Sequence, residues 1–188
     1  PKIGGKKILG FGVAPESIGL GSTFRYKDFN ASILVEGKMG GSFYSGTNNW
    51  YKVYGLHKDT VPAGGREAGF TPDGVMEDGT VITTSIPHSK IEDYWAQTLN
   101  IGEENIYSSD YMRLRQLSIG YNLPSDMLEG SFITNATVSL IGRNLLLLSN
   151  SSDNIDPESS YSAGNAVGLE RAGMPVPRTI GLNINLKF

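Results

Sequence analysis

The last nine residues, 180–188, restrict the fold more than any other stretch of the chain. Their even positions are apolar, and their odd positions hold glycine, asparagine or lysine. Such strict alternation predicts a β-strand with one apolar and one polar face. The last of the apolar positions is aromatic. These positions are Ile180, Leu182, Ile184, Leu186 and Phe188.

A strand that closes on phenylalanine resembles the last strand of an outer-membrane β-barrel, whose terminal aromatic residue resembles the signal for barrel insertion. We therefore expect the five apolar residues to form a barrel-insertion strand. A soluble sheet can produce the same alternation. The rest of the chain has to distinguish the two readings.

Composition excludes several classes of protein. The chain has 188 residues, a net charge of -3 and no cysteine. This small charge, without a basic run, does not favour nucleic acid as a partner. The lack of cysteine removes disulfides and thiolate metal sites. No apolar run approaches the roughly 20 residues that a membrane-spanning helix needs.

Alternating segments predict about five strands, with a bulge near Arg115 and Gln116 where the apolar residues change phase. Short turns alternate with long polar connections between these strands. We expect the strands at about 17–26, 28–45, 110–124, 133–149 and 177–188, and the long loops at about 46–109 and 150–176.

The order of short turn and long loop is typical of outer-membrane barrels, which have short periplasmic turns and long external loops. Five strands are too few, because such barrels need about eight or more. An open edge in lipid would cost several kcal/mol for each unpaired backbone group. The fold class predicted for residues 1–188 is therefore all-β: the carboxy-terminal part of an antiparallel transmembrane β-barrel.

Four stretches resemble one family in the order in which that family carries them. They are SSDYMRLRQLSIGYNLP at 108–124, SLIGRNL at 139–145, NIDPE at 154–158 and PVPRT at 175–179. The family is the SusC/RagA-like group of TonB-dependent outer-membrane transporters of Bacteroidetes. Residues 24–29 and 40–47 are similar to its usual hairpin region, so the resemblance spans nearly the whole chain.

The resemblance implies a 22-stranded barrel with an amino-terminal plug domain and a TonB box, neither of which is in this sequence. It also implies import of glycans or peptides, with energy from TonB and a SusD-like surface lipoprotein as partner. The chain would contribute barrel wall, extracellular loops and the closing strand, with Phe188 on the periplasmic side. Neither a cofactor nor an enzymatic activity is implied.

Aromatic residues in the first long loop are the candidate contacts. Trp50, Tyr51, Tyr94 and Trp95 could stack on a substrate or pack against the lipoprotein. They could equally form the loop's own core or an aromatic girdle at the lipid boundary. Tyr94 and Trp95 fall in a helix expected at about 91–99, which a capping box of Ser89 and Glu92 would begin.

Other polar groups favour structural roles. Asp153, Asp156 and Glu158 are best explained as a solvated loop with an Asx or proline turn. His57 and His88 lack the spacing of a metal site.

Two rival functions stay open at this point. A secreted β-sandwich that binds carbohydrate could use the same aromatic loops. A glycoside hydrolase would need two positioned carboxylates, for which Glu92 and Glu103 are candidates.

Overall fold

The computed structural model describes residues 4–152, 154–160, 162 and 164–188. Within these ranges, two short α-helices and eight strands form the framework. In chain order they are β1 (Glu16–Tyr26), β2 (Phe29–Met39), β3 (Ser42–Ser45), α1 (Gly46–Val53), α2 (Ile91–Thr98), β4 (Ile106–Ser108), β5 (Tyr111–Asn122), β6 (Asn135–Asn150), β7 (Leu169–Glu170) and β8 (Thr179–Lys187).

Five of these strands form what we call the main sheet, in the order β1-β2-β5-β6-β8. All neighbouring strands are antiparallel. The fold is therefore all-β and mostly antiparallel, as predicted. Among the described residues the sheet is open, with one edge of β1 and one edge of β8 unpaired.

The register of the main sheet separates its side chains into an apolar and a mainly polar face. Residues paired across antiparallel strands lie on the same face, so each row can be followed from β1 to β8. One row is Phe24, Ala31, Ile119, Leu140 and Leu182, and the next row is Thr23, Ser32, Ser118, Ile141 and Gly181.

Two irregularities shape the strands next to the loops. The pairing of β5 with both neighbours skips Arg115, which confirms the bulge expected there. The strand expected over about 28–45 is interrupted after Met39. Gly40 has a φ of 79°, and a Cβ on Gly41 would lie 2.2 Å from Ser109 Oγ. The chain therefore turns, and β3 joins another sheet.

The described residues of 42–109 and 151–176 form what we call the loop body. It contains a small sheet of order β4-β3-β7, in which β3 and β7 are parallel. The helix expected at about 91–99 is α2, preceded by a 3₁₀ turn. The expected capping box is wrong, because Lys90 is the N-cap and makes no side-chain capping bond. No helix in the described part of the chain has the length and apolarity that crossing a membrane requires.

Candidate functional site

Helix α1 places polar side chains toward the protein interior. Ser45 caps the helix, because its Oγ accepts a hydrogen bond from the backbone N–H of Asn48 at 3.0 Å. Asn48, Asn49 and Lys52 lie on its inner side and are almost fully buried. Asn49 Nδ2 donates to Tyr44 Oη at 2.6 Å. Polar contacts, rather than apolar packing, therefore hold the inner side of this helix.

The outer side of α1 carries aromatic rings. Trp50 is 49% exposed and Tyr51 is 40% exposed. Trp50 stacks on Tyr54 just beyond the helix, with ring centroids 5.6 Å apart and planes 17° from parallel. We call Trp50, Tyr51 and Tyr54 the aromatic surface. Large exposed rings on a polar-cored helix are available to a ligand or partner.

The two candidate aromatic residues of α2 lie elsewhere. Trp95 is only 7% exposed. Its ring is nearly parallel to that of Phe70, with centroids 5.8 Å apart, and it meets Tyr94 edge to face at 5.2 Å. These rings form the loop body's own core. The structure thus separates Trp50 and Tyr51, on the exposed surface, from Tyr94 and Trp95.

Lys52 connects α1 to the rest of the loop body. Its Nζ donates to the backbone oxygen and to Oε1 of Glu104, both at 3.1 Å, and lies 3.9 Å from Asp59 Oδ2. Burial by itself would lower the pKa of Lys52. The hydrogen bond to Glu104 and the nearby negative charges outweigh burial and raise this pKa above its ordinary value. Burial, followed by the charge of Glu104, raises the pKa of Tyr94.

A pocket of about 480 Å³ opens between α1 and α2. Tyr54 lines it, so the pocket adjoins the aromatic surface. Cationic, acidic and aromatic side chains meet there, which suits a polar ligand with an apolar face. The lining includes Lys52, Tyr54, Arg66, His88, Glu92 and Trp95.

The carboxylates of the hydrolase hypothesis lie in different places. Glu92 lines the pocket beside the aromatic surface, whereas Glu103 lines another one and pairs with Lys7. Within the described ranges there is no group of three or more acidic or histidine side chains that could hold a metal ion. His57 is buried and its Nδ1 accepts from Asp59 N, while His88 is exposed.

Arginines on β5 bind the second loop to the main sheet. Arg113 is 4% exposed, and its Nη2 donates to Asp156 Oδ1 and Oδ2 at 2.7 and 2.8 Å. Arg115 donates to Glu158 through both terminal nitrogens, at 2.8 and 3.1 Å. The bulge at Arg115 brings both arginines to Glu158, whose Oε2 lies 3.0 Å from Arg113 Nε. We call these four residues the arginine anchor.

The reading of Asp156 and Glu158 as solvated is therefore wrong. The Asx turn is present, because Asp156 Oδ1 accepts from Glu158 N at 3.0 Å, but both carboxylates are largely buried in ion pairs. Asp153 lies outside the described residues. Two arginines two positions apart on one strand were the available signal for acidic partners.

A second carboxylate, on β7, meets the beginning of α1. Glu170 is 1% exposed. Its Oε2 accepts from Ser45 Oγ at 2.7 Å, and its Oε1 accepts from Thr47 Oγ1 at 2.6 Å and from Gly173 N at 3.1 Å. We call Glu170 with Ser45 and Thr47 the clasp. A negative charge is favourable at the positive end of a helix.

The predicted barrel-insertion residues lie on or just beyond β8. Four of them, at 180, 182, 184 and 186, are in register with apolar-face positions of β6 and are exposed. Phe188 is exposed and stacks on Phe132, with centroids 5.5 Å apart.

The chain is similar in sequence to two TonB-dependent receptors. No protein-family model matches it. TonB-dependent receptor P3 of Formosa agariphila is 26% identical over 190 residues, which cover 97% of this chain and 17% of the receptor. TonB-dependent receptor P26 of the same organism is 29% identical over 193 residues, which cover 96% and 18%. The chain thus spans less than a fifth of the length of these relatives.

Two solved structures contain a part whose fold is similar to that of this chain. The RagAB peptide importer in its closed-closed state matches 97% of this chain and 18% of that chain, with a TM-score of 0.61 and 18% identity. Its open-open state matches 94% and 17%, with a TM-score of 0.60 and 19% identity. The likeness shows a shared fold. The two sequence relatives are named as receptors rather than enzymes, in agreement with the prediction.

Proposed function

Because the chain is SusC/RagA-like in sequence and in fold, we propose that it is part of a TonB-dependent importer of the outer membrane. In this proposal the main sheet is a segment of the barrel wall and the loop body stands on its extracellular side. The observation that most supports this proposal is the apolar face of the main sheet, which is exposed from β1 to β8.

Exposure of this face is costly in water. Phe24, Ile119, Leu140 and Leu182 share one row, and each is at least 51% exposed. Apolar area left in water costs about 25 cal/mol per Å². Hydrocarbon chains of a bilayer remove that cost, so we assign this face to lipid.

Strand length fits the same assignment. β1 and β2 have 11 residues each. At about 3.4 Å per residue and a tilt near 45°, such a strand crosses about 25 Å, the height of the apolar band of outer-membrane barrels. A β-sandwich would need a second layer over this face, and the described residues provide none.

The remaining parts of the importer come from the resemblance. Strands outside this chain would complete 22 in all, and the plug domain and TonB box would belong to the rest of the protein. The carboxy terminus would be periplasmic. A SusD-like lipoprotein would cover the extracellular side, and glycans or peptides would be the cargo. Trp50 and Tyr51, with Tyr54, are the contacts that we propose for cargo or lipoprotein, because they are the exposed rings of α1.

Single labels on the two faces of β8 test the wall assignment. The chain has no cysteine, so Leu182→Cys and Asn183→Cys each give one site in this part of a cysteine-free full-length protein. After reconstitution into vesicles, we expect a nitroxide at 182 to be relaxed mainly by oxygen, which dissolves in the bilayer. The label at 183 should be relaxed less by oxygen. Greater access of a water-soluble nickel chelate to 182 would reject the proposal.

A further inference from the structure

The clasp lies at the end of the helix that carries the aromatic surface. Helix α1 has eight residues, and an isolated helix of that length is marginal in water. No acidic residue of its own lies in its first turn. Glu170 supplies the missing negative charge from a segment more than 120 positions away in the chain.

That segment is itself fixed at its two ends and between them. At its ends, Asp156 and Glu158 bind the arginines of β5, and Asp156 Oδ2 accepts from Val176 N at 3.1 Å. Between the ends, β7 pairs with β3 directly before α1 begins. We call the described residues of 154–176 the strap. The strap is therefore joined to the main sheet by ion pairs and to the start of α1 by hydrogen bonds.

We infer that Glu170 is a positioning residue, which orients α1 through Ser45 and Thr47 so that the aromatic surface keeps a fixed direction relative to the main sheet. The inference rests on the proposed function of that surface. It assigns to the second loop the task of holding the recognition helix of the first loop, without any contact of its own to cargo.

The orientation of α1 depends on the clasp because the helix is held by polar contacts. The inner side of α1 is polar, so apolar packing cannot restore its orientation when the clasp is lost. Hydrogen bonds to a charged group are directional and stronger than neutral ones. Loss of Glu170 should loosen the start of the helix, where Ser45 and Thr47 lose their partner, while the arginine anchor still holds the strap to the main sheet.

The test measures a distance in the full-length transporter in vesicles. Nitroxides at Leu56→Cys, just after α1, and Ser22→Cys, on β1, report the position of the helix against the sheet. In Glu170→Ala we expect the distance distribution to broaden about twofold or more, because local opening becomes easy. Glu170→Gln, which keeps the shape and one acceptor, should restore much of the narrow distribution. An unchanged distribution in Glu170→Ala would overturn the inference.

Two further variants keep the result interpretable. Thr47→Val removes the hydroxyl partner without changing size, and it should broaden the distribution even if Glu170→Ala fails to insert. Glu129→Ala, at an exposed carboxylate, should change nothing. No cargo enters this measurement, so its outcome is independent of the proposed function. The contact role that we propose for the aromatic surface fails separately if Trp50→Ala leaves uptake unchanged.

Discussion

The main sheet and the loop body place their side chains in opposite ways. In the main sheet, leucine, isoleucine and phenylalanine cover an exposed face, as Leu140 and Leu182 do. In the loop body, charged and amide side chains such as Lys52, Asn105 and Glu170 are nearly inaccessible. Each region therefore departs from the usual rule of an apolar interior and a polar surface, but in a different respect.

The difference shows which forces hold each region. Hydrogen-bonded ladders hold the main sheet together, and in our proposal lipid covers its apolar face, so we expect single apolar changes there to be tolerated. Directional ion pairs hold the loop body, and removing one partner leaves the other charge buried and unpaired. We expect the loop body to be sensitive to single polar substitutions and the main sheet to be sensitive to charge on its apolar face.

The largest effect should come from Arg113→Ala. It leaves Asp156 and part of Glu158 without their buried partner, and breaking such a pair costs about 3–5 kcal/mol. Faster hydrogen exchange in 154–176, measured on the full-length protein in detergent, would report the loss. The matched control is Arg143→Ala on β6, which is exposed and should leave exchange unchanged. Equal exchange in both variants would contradict the polar account of the loop body.

Leu182→Arg should have the next largest effect. Arginine on the lipid-facing side near the membrane centre costs about 2–4 kcal/mol. Asn183→Arg, one position along β8 but on the other face, should be tolerated. The amount of heat-modifiable, folded protein in the outer membrane measures the difference. Similar loss in both variants would remove the distinction between the two faces.

Strands and their faces could be predicted from the sequence because alternation is a local signal. The bulge at Arg115 was equally accessible, since the phase of apolar residues changes between Leu114 and Leu117. The end of β2 was not, because two glycines interrupt a pattern that otherwise continues to Phe43.

The clasp and the anchor could not be predicted in the same way. Ser45 and Glu170 are 125 positions apart, and no periodicity connects them. Burial of a carboxylate depends on where a distant donor lies, which single-residue propensity does not contain. The same limit applies to the aromatic residues, since only packing separates exposed Trp50 from buried Trp95.

A smaller effect is expected where the two regions join. Asn144 has a φ of 52°, its Oδ1 accepts from Arg115 Nη1 at 2.8 Å, and its Nδ2 donates to Pro177 O at 3.1 Å. Asn144→Ala combines lost bonds with a left-handed backbone, at a cost of about 1–2 kcal/mol. Asn144→Gly removes only the bonds and should cost less. Thermal unfolding of the purified transporter ranks them, and a reversed order would show that backbone strain is unimportant here.

The smallest effect concerns pH. Since the folded state raises the pKa of Lys52 above the ordinary value of 10.5, its stabilisation is fully present below that pH. It is lost as pH rises through the higher folded pKa. We therefore expect the loop body to lose stability at strongly alkaline pH. Tyr94, whose pKa is also raised, acts with the same sign.

Lys52→Met isolates the lysine's share of this dependence. Methionine keeps much of the side-chain length but carries no charge, so the variant should be less stable at neutral pH and lose less stability above pH 10.5. Mobility of a nitroxide at Leu56, followed against temperature at each pH, measures the stability of the loop body alone. Lys27→Met, at an exposed lysine in the β1–β2 turn, should retain the full alkaline loss. The same alkaline loss in Lys52→Met would mean that the ion pair between buried Lys52 and half-exposed Glu104 does not stabilise the loop body. The contrast with the main sheet would then depend on the arginine anchor.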